Sequence, residues 1–335
     1  MRDFSNLENY HYGKSSKKAY NRGKSFGYQV LGFGSGGGAA GYAPTQLGII
    51  AYGTPGPMST SNVINSSGVV GSDVSGVGTA KQVVVAATYG YDKAIMGWGD
   101  GGVSTTNLVS NTGVVAADTA GVGTTRTAVG ASFGLEGNAI FAFGYGGGPP
   151  SMLNLSNLVS NLGVIASDTA GVGTARADLA GVSYDTDKAV VAFGRTPASS
   201  NLSNLINDVG VVASDTAGVG TARGGVAAAP YGEGLGVMAY GTGVAPVGKY
   251  NTSNLVNISG VIATDTSGVG TARSHLGACG YGGETVGIFA YGNIPDPAGS
   301  YTNVSNLVNS SGVIATDTAG VGVIRYGCGA AGIGN

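Results

Sequence analysis

The ten residues SDTAGVGTAR occupy Ser167–Arg176 and return unchanged at Ser214–Arg223. Their Asp recurs at Asp73, Asp118, Asp168, Asp215, Asp265 and Asp317, at intervals of 45, 50, 47, 50 and 52 residues. Eight residues after each Asp stands a base: Lys81, Arg126, Arg176, Arg223, Arg273 and Arg325. A fixed period of ~20–50 residues marks a fold assembled from copies of one unit, and it outranks any local reading of the chain.

Each copy divides at its turn signals in the same way. After the base comes a strand of small residues, such as Gly225–Tyr231, then a polar turn and an alternating strand, such as Gly236–Gly241. A loop of changing length follows, then SNLV or a near copy, a tight turn ending in Gly (Ser110–Gly113, Asn257–Gly260) and a β-branched strand such as GVIATD. Four short strands per copy, six times over, predict an all-β, six-bladed β-propeller. A solenoid would carry polar caps at both ends. This chain instead enters in mid-repeat, at Gly36–Gly53, and finishes with another first-strand copy, Arg325–Gly332. The termini are therefore expected to complete one blade together, within a ring spanning residues 26–335. Which terminus supplies which strand stays open, because Tyr28–Gly34 also resembles a second strand.

Composition supports packing. Gly accounts for 64 of 335 residues and only 10% are charged, but there is no collagen-like triplet, and 42% are hydrophobic with a mean hydropathy of +0.18. Residues 1–25 differ: Arg2, Lys14, Lys17, Lys18, Arg22 and Lys24 face only Asp3 and Glu8, giving a basic arm interleaved with aromatics. Such a segment is most often a solvated tail; docking on an acidic protein surface comes next and specific nucleic-acid recognition last. The first thirty residues hold no apolar stretch with a cleavage site, and no run approaches the ~18 apolar residues of a membrane span.

The order of base, small strand, aliphatic strand ending in aromatic-Gly, loop, short strand, turn and strand resembles the kelch repeat over about Gly36–Gly332. The Gly-Gly doublet usual in that family is replaced by AYGT, GWGD, FGYG or AFGR, and the one Trp, Trp98, falls in a second strand. Near-identical Gly/Ala/Val/Asn/Thr-rich copies such as NLVSNTGVVAADTAGVGTTR also look like repeat proteins of tailed bacteriophages, which implies a virion component.

The copied decamer invites two chemical readings that fail. A phosphate loop needs a helix N-terminus after it, whereas a strand follows here. One Asp beside Thr supplies too few oxygens for a hard cation. The segment reads instead as the link between blades, its glycines permitting close approach and its Asp capping backbone N–H groups. Each Asp is further expected to meet a base, its own or an adjacent blade's.

Antiparallel parity sends the loops between strands 2 and 3 out of the same face as these links. Those loops diverge most, which makes them the expected recognition surface. The candidates are Asp100, Tyr145, Met152, Arg195, Lys249, Tyr250, Asp296 and Tyr301. Catalysis finds little material: His11 and His275 are the only histidines, with no nucleophile motif beside either. Cys279 and Cys328 read as small buried thiols. A kelch-type copper oxidase is implied to need two His, two Tyr and a Cys at one site.

The expectation is a non-enzymatic structural or adhesive component of a tailed-phage virion, assembled in the host cytoplasm in multiple copies. It would dock on other virion proteins through its arm and display its loops, with host-surface glycans as further partners. It would use no cofactor or metal, bind no specific nucleic acid and insert in no membrane. The alternative is a glycan-binding, lectin-like propeller, whose near-equal sites would suit weak multivalent binding; a propeller enzyme stands third.

Overall fold

The computed structural model describes residues 46–146, 151–243, 248–295 and 300–334. The basic arm with its six named bases, residues 26–45 and Asp296 lie outside the described residues.

The described chain is all β, in six three-stranded antiparallel sheets. It opens with β1 (Leu47–Ala51) and β2 (Ser61–Ile64) of blade 1. Blade 2 holds β3 (Val85–Tyr89), β4 (Lys93–Gly97) and β5 (Thr106–Val109), and blade 3 holds β6 (Thr127–Phe133), β7 (Asn138–Tyr145) and β8 (Met152–Val159). In blade 4, β9 (Ala180–Tyr184) and β10 (Lys188–Ala192) are followed by a small hairpin, β11 (Arg195–Thr196) with β12 (Ala198–Ser199), before β13 (Ser203–Ile206). Blade 5 holds β14 (Ala227–Tyr231), β15 (Leu235–Thr242) and β16 (Lys249–Val256); blade 6 holds β17 (Gly277–Tyr281), β18 (Val286–Asn293) and β19 (Tyr301–Val308). The chain then returns as β20 (Gly329–Ile333), which pairs with β1 from Leu47↔Ile333 to Ala51↔Gly329.

The C-terminus therefore supplies the innermost strand of blade 1, and the N-terminal part supplies its other strands. The inner strands neighbour one another in the closed order β20, β3, β6, β9, β14, β17 and back to β20. This is a six-bladed propeller.

The expected fourth strand is only partly a strand. In blade 2 it makes two isolated bridges to β5, Val109↔Val115 and Thr106↔Thr119, and the other blades repeat the pattern. Three steps along β5 oppose four along the outer segment, so the ladder bulges. The Asn107 side chain fills the gap by donating from Nδ2 to Ala116 O at 2.9 Å. The bulge has a use, for it turns Asp118 inward.

The hydrophobic core is divided among the blade interfaces. Ile49, Tyr52 and Ile333 of blade 1 pack on Met96 and Val109 of blade 2, and Tyr240 and Val237 of blade 5 pack on Phe289 and Val308 of blade 6. Small residues crowd the inner strands because six of them converge on one axis. A Cβ built on Gly130 would stand 2.1 Å from Ala86 O of the neighbouring blade.

Candidate functional site

The sixfold residues form one internal node per blade. In blade 3, Arg126 is buried and donates from Nη2 to Asn157 Oδ1 at 2.8 Å and from Nε to Phe143 O at 2.7 Å. Asn157 Nδ2 in turn donates to Asp168 Oδ1 at 2.8 Å, and Thr124 donates from its hydroxyl to Asp168 Oδ2 at 2.7 Å. Arg126 also stacks 4.7 Å over the Trp98 ring of blade 2. Each base thus ties its own blade's Asn and Asp to the neighbouring blade's aromatic.

All six Asp meet a base. The pairs are Lys81–Asp118, Arg126–Asp168, Arg176–Asp215, Arg223–Asp265, Arg273–Asp317 and Arg325–Asp73, at N···O distances of 3.1–3.8 Å. The partner is the base that opens the same blade, roughly forty residues earlier in chain order for five pairs, and never the base eight residues downstream. Burial works to raise the carboxyls of Asp118, Asp168, Asp215, Asp265 and Asp317, but hydrogen bonds from Thr and Asn and the nearby base outweigh it and hold them below the usual carboxylate range.

The decamer's glycines serve this joint. Gly171 passes so close to strand β8 of blade 3 that a Cβ would sit 1.9 Å from Asn154 O, and Gly173 takes φ +84 beside Asp215. The aromatic-Gly pair has a matching role. Tyr52, Trp98, Phe143, Phe193, Tyr240 and Tyr291 all adopt positive φ, which aims each ring at the next blade's base. The buried Asn of each SNLV copy was legible in the sequence as an invariant, although nothing there gave its partner.

The face formed by the links and the 2–3 loops carries much of what differs between blades. Two residues after each base stand Val83, Ala128, Asp178, Gly225, His275 and Gly327, a ring around the mouth of the central channel. A backbone collar joins part of it: Gly225 N donates to Asp178 O, His275 N to Gly225 O, and Gly327 N to His275 O, at 2.8–2.9 Å. Because Gly225 lacks a side chain, His275 lies across blade 5; a Cβ there would be 2.7 Å from its ring.

His275 Nε2 reaches to 3.7 Å from Asp178 Oδ2, and Arg195 Nε lies 2.6 Å from the same oxygen. Burial pushes the Asp178 carboxyl up, but the nearby His275 and Arg195 more than offset this and keep it low. On the other side of the ring His275 Nδ1 is 3.1 Å from Ser274 Oγ, which accepts from Lys249 Nζ at 2.8 Å. Burial lowers the Lys249 ammonium. Tyr301 stacks on Tyr326 with ring centroids 4.9 Å apart, and the His275 ring meets Tyr326 edge-on at 6.1 Å.

Three sequence candidates, Arg195, Lys249 and Tyr301, therefore converge on this mouth. Asp100 holds Gln82 at the adjacent link, 3.3 Å away, and its charge helps raise Tyr326 after the larger effects of burial and Tyr301. Tyr145 and Met152 pair with each other where β7 meets β8, and Tyr250 sits opposite Gly241 in blade 5. Asp178, Ser274, His275 and Tyr326 complete the cluster; the signal that could have found them is their departure from the repeat just after the base.

Ser274 precedes His275 in the chain, and Asp178 approaches the far nitrogen of its ring. Ser274 is wholly buried, however, and its hydroxyl is occupied by Lys249 and His275. The pocket at the channel mouth measures about 160 Å³, less than the ~300 Å³ at which small-molecule pockets begin. Among the described residues no three His, Cys, Asp or Glu side chains are grouped to share a metal ion.

No family model matches this sequence. No curated protein matches it either. Among solved structures, that of YjhT, a kelch-like β-propeller, aligns with a TM-score of 0.53 at 12% identity, covering 71% of this chain and 84% of YjhT. At that identity the likeness is one of fold, that of a β-propeller.

Proposed function

We propose that this chain is a non-enzymatic display scaffold whose ring presents its 2–3 loop face for surface binding. The observation that carries the reading is the segregation of its charges. The repeated bases and their Asn partners are consumed inside the blades, whereas Arg195, Lys249, His275 and Asp178 gather with two tyrosines at one channel mouth. A rigid frame that gathers unlike side chains on a face is how repeat proteins build recognition sites. The setting follows from the sequence's likeness to Gly-rich repeat proteins of tailed phages: a virion component, docked through residues 1–25.

Propellers host enzymes as well as scaffolds. The buried Ser274 supports the non-enzymatic side, because no substrate carbonyl reaches its hydroxyl. The stacked Tyr301–Tyr326 pair favours a second reading, a glycan-binding face in which sugar rings lie on aromatic rings.

Particles assembled with the full chain or with residues 1–25 deleted test the docking role: the truncated protein is expected to fold and fail to incorporate, and undiminished incorporation would refute it. A glycan array with the full chain separates the two surface readings. Binding lost on Tyr301→Ala supports a lectin face, and a blank array with retained attachment to host cells points to protein recognition.

A further inference from the structure

Blade 2 is the exception in the ring of bases. Five blades carry Arg at the buried position and blade 2 carries Lys81. A guanidinium stays protonated, whereas a lysine amine held out of water releases its proton and becomes a nucleophile.

Lys81 Nζ lies in hydrogen-bond contact with Asn107 Oδ1, one bond from the carboxamide carbon. Asp118 Oδ1 stands 3.7 Å from Lys81 Nζ and accepts from Asn107 Nδ2 at 2.9 Å, so a single carboxylate oxygen faces both the amine and the amide nitrogen. Lys81 and Asn107 are fully buried, and the buried Tyr52 ring covers the amine at 5.1 Å. Burial lowers the Lys81 ammonium against the opposing pull of Asp118. Asp118 itself is kept ionised by Thr79 and Asn107 despite partial burial, and an ionised carboxylate can accept a proton.

We propose that Lys81 and Asn107 join spontaneously in an intramolecular isopeptide bond, with Asp118 shuttling the proton. The lone pair of the neutral amine forms a bond from Nζ to Asn107 Cγ while one Nζ proton passes to Asp118. The bond from Cγ to Nδ2 then breaks as Asp118 delivers that proton to the departing nitrogen, which leaves as ammonia. One C–N bond forms and one breaks, the carboxylate ends as it began, and no oxidant, metal or co-reactant takes part. The product closes a loop between positions 26 residues apart and fastens the link before β3 to β5. The Arg-bearing nodes have the same carboxamide and carboxylate but no amine, which confines the reaction to blade 2.

Intact-mass spectrometry of the folded full-length protein tests this. The expected mass is one ammonia below that of the sequence, with a branched peptide joining the Lys81 and Asn107 segments after digestion. Lys81→Arg installs the base that the other five blades use, and should fold and show the full mass. Asp118→Asn, scored on its soluble folded fraction, should slow the ammonia loss ~100-fold or more, the scale of a missing proton-transfer group. Wild-type protein that keeps its full mass through long incubation at mildly alkaline pH would overturn the proposal. So would an ammonia loss that persists in Lys81→Arg or an unchanged rate in Asp118→Asn.

Discussion

Arg325 Nη1 lies 3.8 Å from Asp73 Oδ1, so the last base of the chain is held by the first aspartate of the repeat. The same guanidinium contacts Asn62 Oδ1 and covers the Tyr291 ring at 4.2 Å. One side chain thus joins blade 1's N-terminal strands to the C-terminal strand and to blade 6. Removing it orphans a buried carboxamide oxygen and weakens the closure. Arg325→Ala should cost about 2–4 kcal/mol, read by chemical denaturation, with hydrogen exchange accelerating first in β1, β2 and β20.

The Asp–base ring gives stability a defined pH dependence. The folded values of Asp168, Asp215, Asp265 and Asp317 lie below the ordinary carboxylate value, which in the unfolded chain is ~3.9. Their contribution is therefore complete above that value and is lost as pH falls through the lower folded values. The melting temperature should drop steeply below about pH 4, and Asp215→Asn should make that fall shallower while lowering the neutral-pH melting temperature.

Two glycine substitutions should separate close approach from mere flexibility. At Gly171 a Cβ would stand 1.9 Å from Asn154 O, whereas at Gly248 nothing among the described residues lies within 4 Å of it and φ is not in the left-handed region. Gly171→Ala should destabilise by about 1–3 kcal/mol, and Gly248→Ala should stay within ~0.5 kcal/mol of the parent. Equal effects would mean that the link does not pack as described.

The inner strands have no room to grow. Ala229 is fully buried between blades 5 and 6, so Ala229→Leu should overpack that interface and cost about 1–3 kcal/mol by denaturation.

Cys279 and Cys328 should be silent in the folded protein. Burial pushes Cys279 up to about 12, and it pushes Cys328 up to about 11 against the lowering effect of Arg325. Neither is a thiolate at neutral pH, and both are buried. A thiol reagent should label neither until denaturant is added, when both should react.

The sequence by itself determined the architecture, because a period is a property of the chain. Six copies of one pattern, with permuted ends, specify six equivalent sheets and a closing blade made from both termini. It also marked the Asp and the base as residues of the joint, since they recur in step, whereas the Asn, the aromatic and the Thr that becomes Val323 in the last copy took their roles only from the structure. Only the tertiary structure decided who meets whom. Asp118 joins Lys81 across a whole blade instead of Lys81 joining Asp73 eight residues before it, because the bulged outer segment turns its Asp inward to the Asn of its own sheet. The channel mouth was hidden for the same reason. Asp178, Arg195, Lys249, His275 and Tyr326 come from five stretches of chain on four blades. Closing the ring is what makes them neighbours, and no pattern along the chain encodes a distance across its axis.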